Sequence, residues 1–474
     1  MSGQSTQRKS TMRVSNIIHS RQLYYVYLFV YALCIIFLLY HHEPWGEELN
    51  GWRIAKNYDI IEIFKLMSRE GHFMLWFMLS YPFAHLGFPP ITMGLISCGL
   101  LLFAGYILLF KSKFPLIVRL ILLFSYPFIY CFPVIIRCYA LVPPILFLLA
   151  WVYPQRHEKG LIYGILLGLM ANIHLYMEGF YMTMLFIYIY ESIEMRKRIH
   201  FYNKNSVIGI LLAVLGGIIA LSQIIGVLFQ ESSRAIIGSN ALSNVYIFSM
   251  FMESYFNLPT RAVFIYFAIY LALFSCVFYV LYKIFHYEWK YYIILFVPIL
   301  YQILFARYVF ALNFQRVYLP FLILIFVFWI QKSKSKYASI LLSFLAFSIS
   351  VQGSKLIKYD LKADFGIEYK VNCFLSEVKP KNLYVIHDAL LAIDSFNEDI
   401  PYFKIDNFEN IDMSRLPDEF SILMYFWSVK PNQDEKIQKI IKLGYKLDNV
   451  IIESNHVNDA VNYSYHYYHF KKND

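Results

Sequence analysis

The stretch His41-His42-Glu43-Pro44-Trp45-Gly46-Glu47-Glu48-Leu49-Asn50-Gly51-Trp52 sets two adjacent carboxylates just after a long apolar run. Carboxylates beside a membrane span are costly unless they are solvated or used. The tryptophan beside them prefers the membrane–water interface. One carboxylate held near an acceptor hydroxyl would serve as a general base. The plain alternative is a solvated helix start, because acids favour the first turn. Glu48 and Trp52 are four apart and share a face if this stretch is helical. One carboxylate would then be held while the other points to substrate.

Further polar groups interrupt the apolar chain. Arg69-Glu70-Gly71-His72-Phe73-Met74-Leu75-Trp76 reads as the charged start of an interfacial helix, with Glu70 and His72 as candidate substrate contacts. Arg137 precedes Tyr139 at the start of a span. His174 and Glu178 lie on a short link, and Arg307 and Arg316 bracket another. An arginine at a span end often snorkels to the headgroups. Several on one face would instead suit a lipid phosphate, whose oxygens match a guanidinium.

The elements that must position these groups are mostly membrane spans. The chain is 59% hydrophobic and 16% charged. A soluble domain carries about 25% charged residues, and a mean hydropathy of +0.49 points to a polytopic membrane protein. Apolar runs lie near 22–40, 91–110, 114–134, 138–153, 160–176, 178–193, 206–229, 262–285, 290–306, 317–331 and 337–351, with a weaker one over 72–87. The first run lacks a small-residue cleavage site and reads as a retained helix. If 72–87 does not cross, the basic clusters at the N-terminus, Lys111/Lys113, Arg156/Lys159, Arg196–Arg198, Lys283/Lys290 and Lys332–Lys336 share one side. The positive-inside tendency therefore favours eleven crossings. The N-terminus is then cytoplasmic, with an outer loop over 41–90 and a tail outside the membrane. The net charge of +10 is absorbed by those loops. No basic stripe with interleaved aromatics points to nucleic acid. Of the six cysteines only Cys373 lies in the tail, and no CxxC pair exists, so zinc is not expected.

These boundaries divide the chain into a transmembrane domain, 1–351, and a C-terminal domain, 352–474. In the tail, 382–387, 420–426 and 449–453 read as strands. The stretch 434–447 reads as an amphipathic helix with Ile437, Ile440, Ile441 and Tyr445 on one face. Strand, helix, strand implies a small α/β domain. The aromatic run Tyr463–Phe470 reads as an edge strand packed on the membrane face, with stacking on sugars as the alternative.

The segment Glu43–Asn57 resembles the first outer loop of a bacterial group in the glycosyltransferase-C superfamily. That group reads Glu-Pro-Trp, any residue, Asp-Glu, then Trp, Ile, Ala and a basic residue. The matching positions are Glu43-Pro44-Trp45, Glu47-Glu48, Trp52, Ile54-Ala55 and Lys56. The group's Glu-Gly-His-Pro and Leu-Trp motif is similar to Glu70-Gly71-His72-Phe73 and Leu75-Trp76. Its Arg-any-Tyr motif is similar to Arg137-Cys138-Tyr139, and its late arginine to Arg316. Two departures stand out: Glu47 replaces the usual Asp, and Phe73 the usual Pro.

The charge and periodicity readings together give an all-α polytopic fold of about eleven transmembrane helices with a small α/β extracytoplasmic domain, and the resemblance, to polytopic enzymes with helices in the first outer loop, agrees with it. The resemblance implies a bacterial cytoplasmic-membrane enzyme that moves a sugar from a polyprenyl-phosphate donor to a glycan or lipid-linked acceptor. Glu47 and Glu48 would be the catalytic pair. Trp52, Glu70, His72, Arg137, Tyr139, His174, Arg307 and Arg316 would bind substrate. No cofactor is required by this reading, and a divalent cation stays an open option. A transporter or flippase of lipid-linked glycans is the rival from another class; it should place charges near mid-membrane, often in repeated halves. A polysaccharide polymerase is the rival enzyme.

Overall fold

The structure, a computed structural model, describes residues 21–70, 73–199, 203–225, 244–256, 267–286, 288–309, 312, 315–331, 335–363, 365–396, 400–427, 434–456 and 462–473. It is a helical membrane protein with one small mixed sheet near its C-terminus. The described residues of Met1–Phe37, Ile60–Trp76 and Leu95–Lys355 form one compact unit. Those of Leu38–Asp59, Phe77–Gly94 and Leu356–Asp474 form a second.

Six described helices are long and apolar enough to cross a bilayer: Arg21–His41, Ile91–Lys111, Cys138–Gln155, Lys204–Ile224, Trp289–Tyr308 and Lys336–Asp360. The described residues give six such helices where hydropathy implies eleven crossings; the 262–285 run begins outside the described residues, and for three other runs the reason is local. The 114–134 run breaks at Pro115 and Pro127 into helix Leu116–Leu123 and a π turn, Pro127–Cys131. The 160–176 and 317–331 runs give 12-residue helices, Gly160–Ala171 and Leu319–Ile330. Each is about 18 Å long, against a hydrocarbon core of about 30 Å. The weaker 72–87 run yields helix Leu75–His85, 11 residues with Pro82 inside.

Within the first unit, helices Gly160–Ala171 and Lys204–Ile224 meet along a glycine seam. A Cβ on Gly164 would fall 2.2 Å from the Gly209 carbonyl oxygen, and one on Gly216 2.3 Å from the Gly168 Cα. Small residues four apart let backbones approach where lipid supplies no hydrophobic drive. The seam ends in a polar clasp. The Asn172 side-chain amide donates to the carbonyls of Gly168 and Gly216, both at 2.8 Å, and Gln223 Nε2 donates to Asn172 Oδ1 at 2.9 Å. Helix Leu319–Ile330 is buried at every residue, as an element apolar all round must be.

The second unit is a five-stranded sheet: β1 (Leu383–Ile386), β2 (Tyr402–Ile405), β3 (Glu419–Trp427), β4 (Tyr445–His456) and β5 (Asn462–Lys472). The order is β2-β1-β3-β5-β4, with β1 parallel to β2 and β3, and β5 antiparallel to β3 and β4. The aromatic run therefore is not an edge strand. Period-two alternation splits it between the two faces. Tyr463, Tyr465 and Tyr467 join one core with Trp45, Val371 and Leu383, and Tyr468 and Phe470 join the other with Phe420 and Ile440. The helix expected over 434–447 ends at Lys442, because Gly444, at φ +92°, turns the chain into β4. Strand β2 carried no sequence expectation.

Helix Gly46–Asn57 belongs to this unit. Acids in its first turn and Lys56 in its last suit the helix dipole. Lys56 Nζ donates to the carbonyls of Asp394, at 3.3 Å, and Phe396, which fixes the helix's far end. Its near end is fixed by close approach: a Cβ on Gly366 would lie 2.3 Å from the Pro44 carbonyl oxygen.

Candidate functional site

Each unit holds a cluster of described side chains that includes residues singled out in the sequence. In the second unit Glu48 is buried and Glu47 is exposed on the same helical turn. The Glu48 carboxylate reaches back to accept the Trp45 backbone N–H at 3.0 Å, which is half of a capping box. It also meets His42. The ring is wedged between two acids, Nε2 at 3.0 Å from Glu48 Oε2 and Nδ1 at 3.1 Å from Asp360 Oδ2. Burial opposes a charged ring, but the two carboxylates outweigh it and push His42 up to about 10. At neutral pH both ring nitrogens therefore donate.

Glu368 extends the cluster. Its Oε2 accepts from the Tyr463 hydroxyl at 2.8 Å and from the Ile367 N–H at 3.1 Å. Its Oε1 is buried without a hydrogen-bond partner and lies 3.2 Å from where a Gly46 Cβ would sit. Burial, aided by the charge of Glu48, pushes Glu368 up to about 7, although the Tyr463 hydrogen bond pulls the other way. Trp52 is fully buried on the Glu48 side of the helix.

The cluster of the first unit is built on short 3-10 turns. Arg137 ends an irregular stretch after the Pro127–Cys131 turn, Tyr139 lies in turn Cys138–Leu141, and Arg316 opens turn Arg316–Tyr318. Gln315 pins the last turn to the first stretch by donating to the carbonyls of Cys131 and Ile135 at 3.0 and 3.1 Å. His174 Nδ1 accepts the Tyr176 N–H at 3.0 Å, so a neutral ring carries its proton on Nε2. That Nε2 donates to the Tyr139 hydroxyl oxygen at 2.9 Å, and Arg316 Nε donates to the same oxygen at 2.5 Å. The Arg316 guanidinium also lies 5.3 Å from the Tyr176 ring centre, a cation–π distance. Arg137 and Arg316 are 8% and 3% exposed, and their like charges repel. The two buried guanidiniums lie within electrostatic reach of each other.

The sequence candidates divide accordingly. Arg137, Tyr139, His174 and Arg316 come together in one unit. Glu47, Glu48 and Trp52 share one helix in the other. Arg307 lies in the last turn of Trp289–Tyr308, its guanidinium 5.7 Å from the Tyr308 ring. The Glu70 side chain and all of His72 lie outside the described residues. His42, Asp360 and Glu368 carried no sequence assignment; only the place of His42 beside Glu48 could have signalled one. Among the described residues no group of three or more His, Cys, Asp or Glu is arranged to hold a metal ion.

An apolar groove of about 410 Å³ adjoins the arginine cluster in the first unit. Its walls include Phe251, Tyr255, Phe296, Pro320, Phe321 and Leu324. Tyr255 joins groove and cluster, because its hydroxyl donates to the Val317 carbonyl at 3.0 Å and accepts the Phe321 N–H at 3.1 Å. Comparison of the chain with family models, curated proteins and solved structures gives no match.

Proposed function

We propose that this chain is a membrane glycosyltransferase that takes a sugar from a polyprenyl-phosphate donor and passes it to a glycan or lipid-linked acceptor at the outer surface of a bacterial cytoplasmic membrane. The observation that supports it most is in the first unit. Arg316 of the buried arginine pair opens the turn Arg316–Tyr318, and the helix that follows it supplies Pro320, Phe321 and Leu324 to the wall of an apolar groove. An amphiphile with an anionic head and a long hydrocarbon tail matches both halves. The resemblance of Glu43–Asn57 to the first outer loop of the glycosyltransferase-C superfamily supplies the reaction class.

In this reading Arg137 and Arg316 hold the phosphate through charge-assisted hydrogen bonds. Tyr139, held by His174 and Arg316, has its own hydroxyl proton to give to a phosphate or sugar oxygen. The acceptor hydroxyl attacks the anomeric carbon. A carbon–oxygen bond forms there as the bond to the phosphate oxygen breaks, and the electron pair leaves with polyprenyl phosphate. The acceptor proton passes to a carboxylate, for which exposed Glu47 is the candidate. Displacement in one step inverts the anomeric carbon. Glu48 acts as a positioning residue: its bonds to His42 and the Trp45 N–H fix the helix turn that carries Glu47.

The test is transfer from radiolabelled polyprenyl-phosphate sugars by the purified chain. Arg316→Ala and Arg137→Ala should each raise the KM for donor about 10- to 100-fold, the worth of a hydrogen bond between charged groups, at unchanged melting temperature. Binding and release of the intact donor without product would favour the transporter reading instead.

A further inference from the structure

At another site in the first unit, a cavity of about 510 Å³ is lined by Arg156, His157, Glu191, Glu194, Glu288 and Lys290. We propose that it binds the zwitterionic headgroup of a phosphatidylethanolamine. Three observations carry this.

The first is position. Arg156 directly follows candidate span Cys138–Gln155, and Glu288 directly precedes candidate span Trp289–Tyr308. The cavity therefore sits where two spans end, at the level of lipid headgroups. Trp289 and Tyr190 also line it, their rings 5.4 Å apart and edge to face, 46% and 41% exposed. Such aromatics anchor at the membrane–water interface. The pocket lies away from the arginine–tyrosine cluster: Glu191 is far along helix Glu178–Ile199, which starts just after Tyr176, and Lys290 opens the helix that carries Gln302 near its other end.

The second is a built floor. Arg156 Nε donates to Glu191 Oε2 at 2.7 Å, and His157 Nε2 and Lys290 Nζ each lie 3.7 Å from a Glu191 oxygen. His157 is fixed in turn by Ser206 Oγ at 2.9 Å from Nδ1. Arg156 stacks on Tyr153 with its guanidinium carbon 4.0 Å from the ring centre. The hydroxyls of Tyr153 and Tyr163 are buried without hydrogen-bond partners, and Tyr153 is within electrostatic reach of Arg156, Glu191 and Glu288. The Tyr153 hydroxyl is thus an unused polar atom on a ring that backs Arg156 of the cavity wall.

The third is charge. The Arg156–Glu191 pair compensates itself. That leaves the carboxylates of Glu194 and Glu288 and the ammonium of Lys290 on the walls. Glu194 meets Lys197 on an outer turn at 3.2 Å, and Lys290 is 3.7 Å from its acid, a loose pairing. Walls with both signs suit a ligand with one cation and one anion. A primary ammonium donates three hydrogen bonds to Glu194 and Glu288, which a quaternary ammonium cannot do. Lys290 takes the phosphate as a point charge.

Isothermal titration of the detergent-purified full chain with dihexanoyl-phosphatidylethanolamine, -phosphatidylcholine and -phosphatidylglycerol tests this. The ethanolamine lipid should bind at least about tenfold more tightly than the other two, since charged hydrogen bonds set the difference. Glu194→Gln with Glu288→Gln should remove that preference. Lys290→Gln should weaken ethanolamine and choline lipids alike. Glu194 is half-exposed, so Glu194→Gln alone serves as a variant that keeps the fold and should still lower the preference. Equal binding of all three lipids, preference for the glycerol lipid, or an unchanged preference in the double variant would overturn the assignment.

Discussion

The two polar clusters differ in how their charges are balanced. In the second unit a buried imidazolium sits between Glu48 and Asp360, and each charge has an opposite one at hydrogen-bond distance. In the first, buried Arg137 and Arg316 face each other's like charge, and Arg316 meets the neutral oxygen of Tyr139 and the ring of Tyr176. Burial and titratable side chains alone would rank the two sites equally, whereas the neighbours differ: carboxylates flank an imidazolium in one, and a hydroxyl, an aromatic ring and a second guanidinium surround Arg316 in the other.

The largest expected effect cuts within the carboxylate pair. Glu47→Gln keeps size and removes basicity, so turnover should fall about 10²–10⁴-fold, the usual worth of a general base, with an unchanged melting temperature. Glu47→Asp should be milder, because the resembling enzymes place Asp there. Glu48→Gln should lower the melting temperature and reduce turnover less. Single-turnover transfer with matched protein amounts reads the first effect, and thermal melting the second. Full activity in Glu47→Gln would remove catalysis from this helix.

Next is the brace itself. His42→Ala leaves Glu48 and Asp360 buried without their shared cation, and breaking such a set costs about 3–5 kcal/mol. The melting temperature should fall well below that of Arg316→Ala, whose loss is of binding. If His42→Ala melts like the parent while Arg316→Ala unfolds, the division between brace and binding site is reversed.

The sequence showed these sites unequally, and the reasons are physical. Glu47, Glu48 and Trp52 were visible because a local motif carries them. Arg137, Tyr139, His174 and Arg316 were visible one by one, as polar groups at the ends of apolar runs. The meeting of His174 and Arg316 at the Tyr139 hydroxyl oxygen spans up to 177 residues and has no local signature. Asp360 stands 318 residues from His42, so no spacing rule pairs them. The apolar runs located the helices but miscounted the crossings, since hydropathy does not register a helix cut short by proline or a tight turn. The aromatic run was legible as a strand. Its central place was not, because alternation fixes the faces of a strand and leaves its neighbours open.

The smallest expected effect is a pH dependence confined to the brace. Glu368, pushed up to about 7 from the ordinary 4.5, binds its proton more tightly when folded. Its contribution to stability is therefore greatest below pH 4.5 and declines as pH rises through 7. His42 works in the same direction over a higher window: its contribution is complete below pH 6.5 and is lost as pH rises through about 10. Glutamine at 368 mimics the protonated acid. Its carbonyl can accept from Tyr463 and Ile367, and its amide stands where Oε1 has no partner. Glu368→Gln should match the parent in melting temperature near pH 5 and exceed it near pH 8, by at most about 3 kcal/mol for a shift of this size. The decline between pH 8 and 10 should persist in Glu368→Gln and vanish only when His42 is also replaced. A Glu368→Gln protein less stable than the parent at pH 8 would mean that the buried carboxylate is needed in its charged form, and that this cluster is more than a brace.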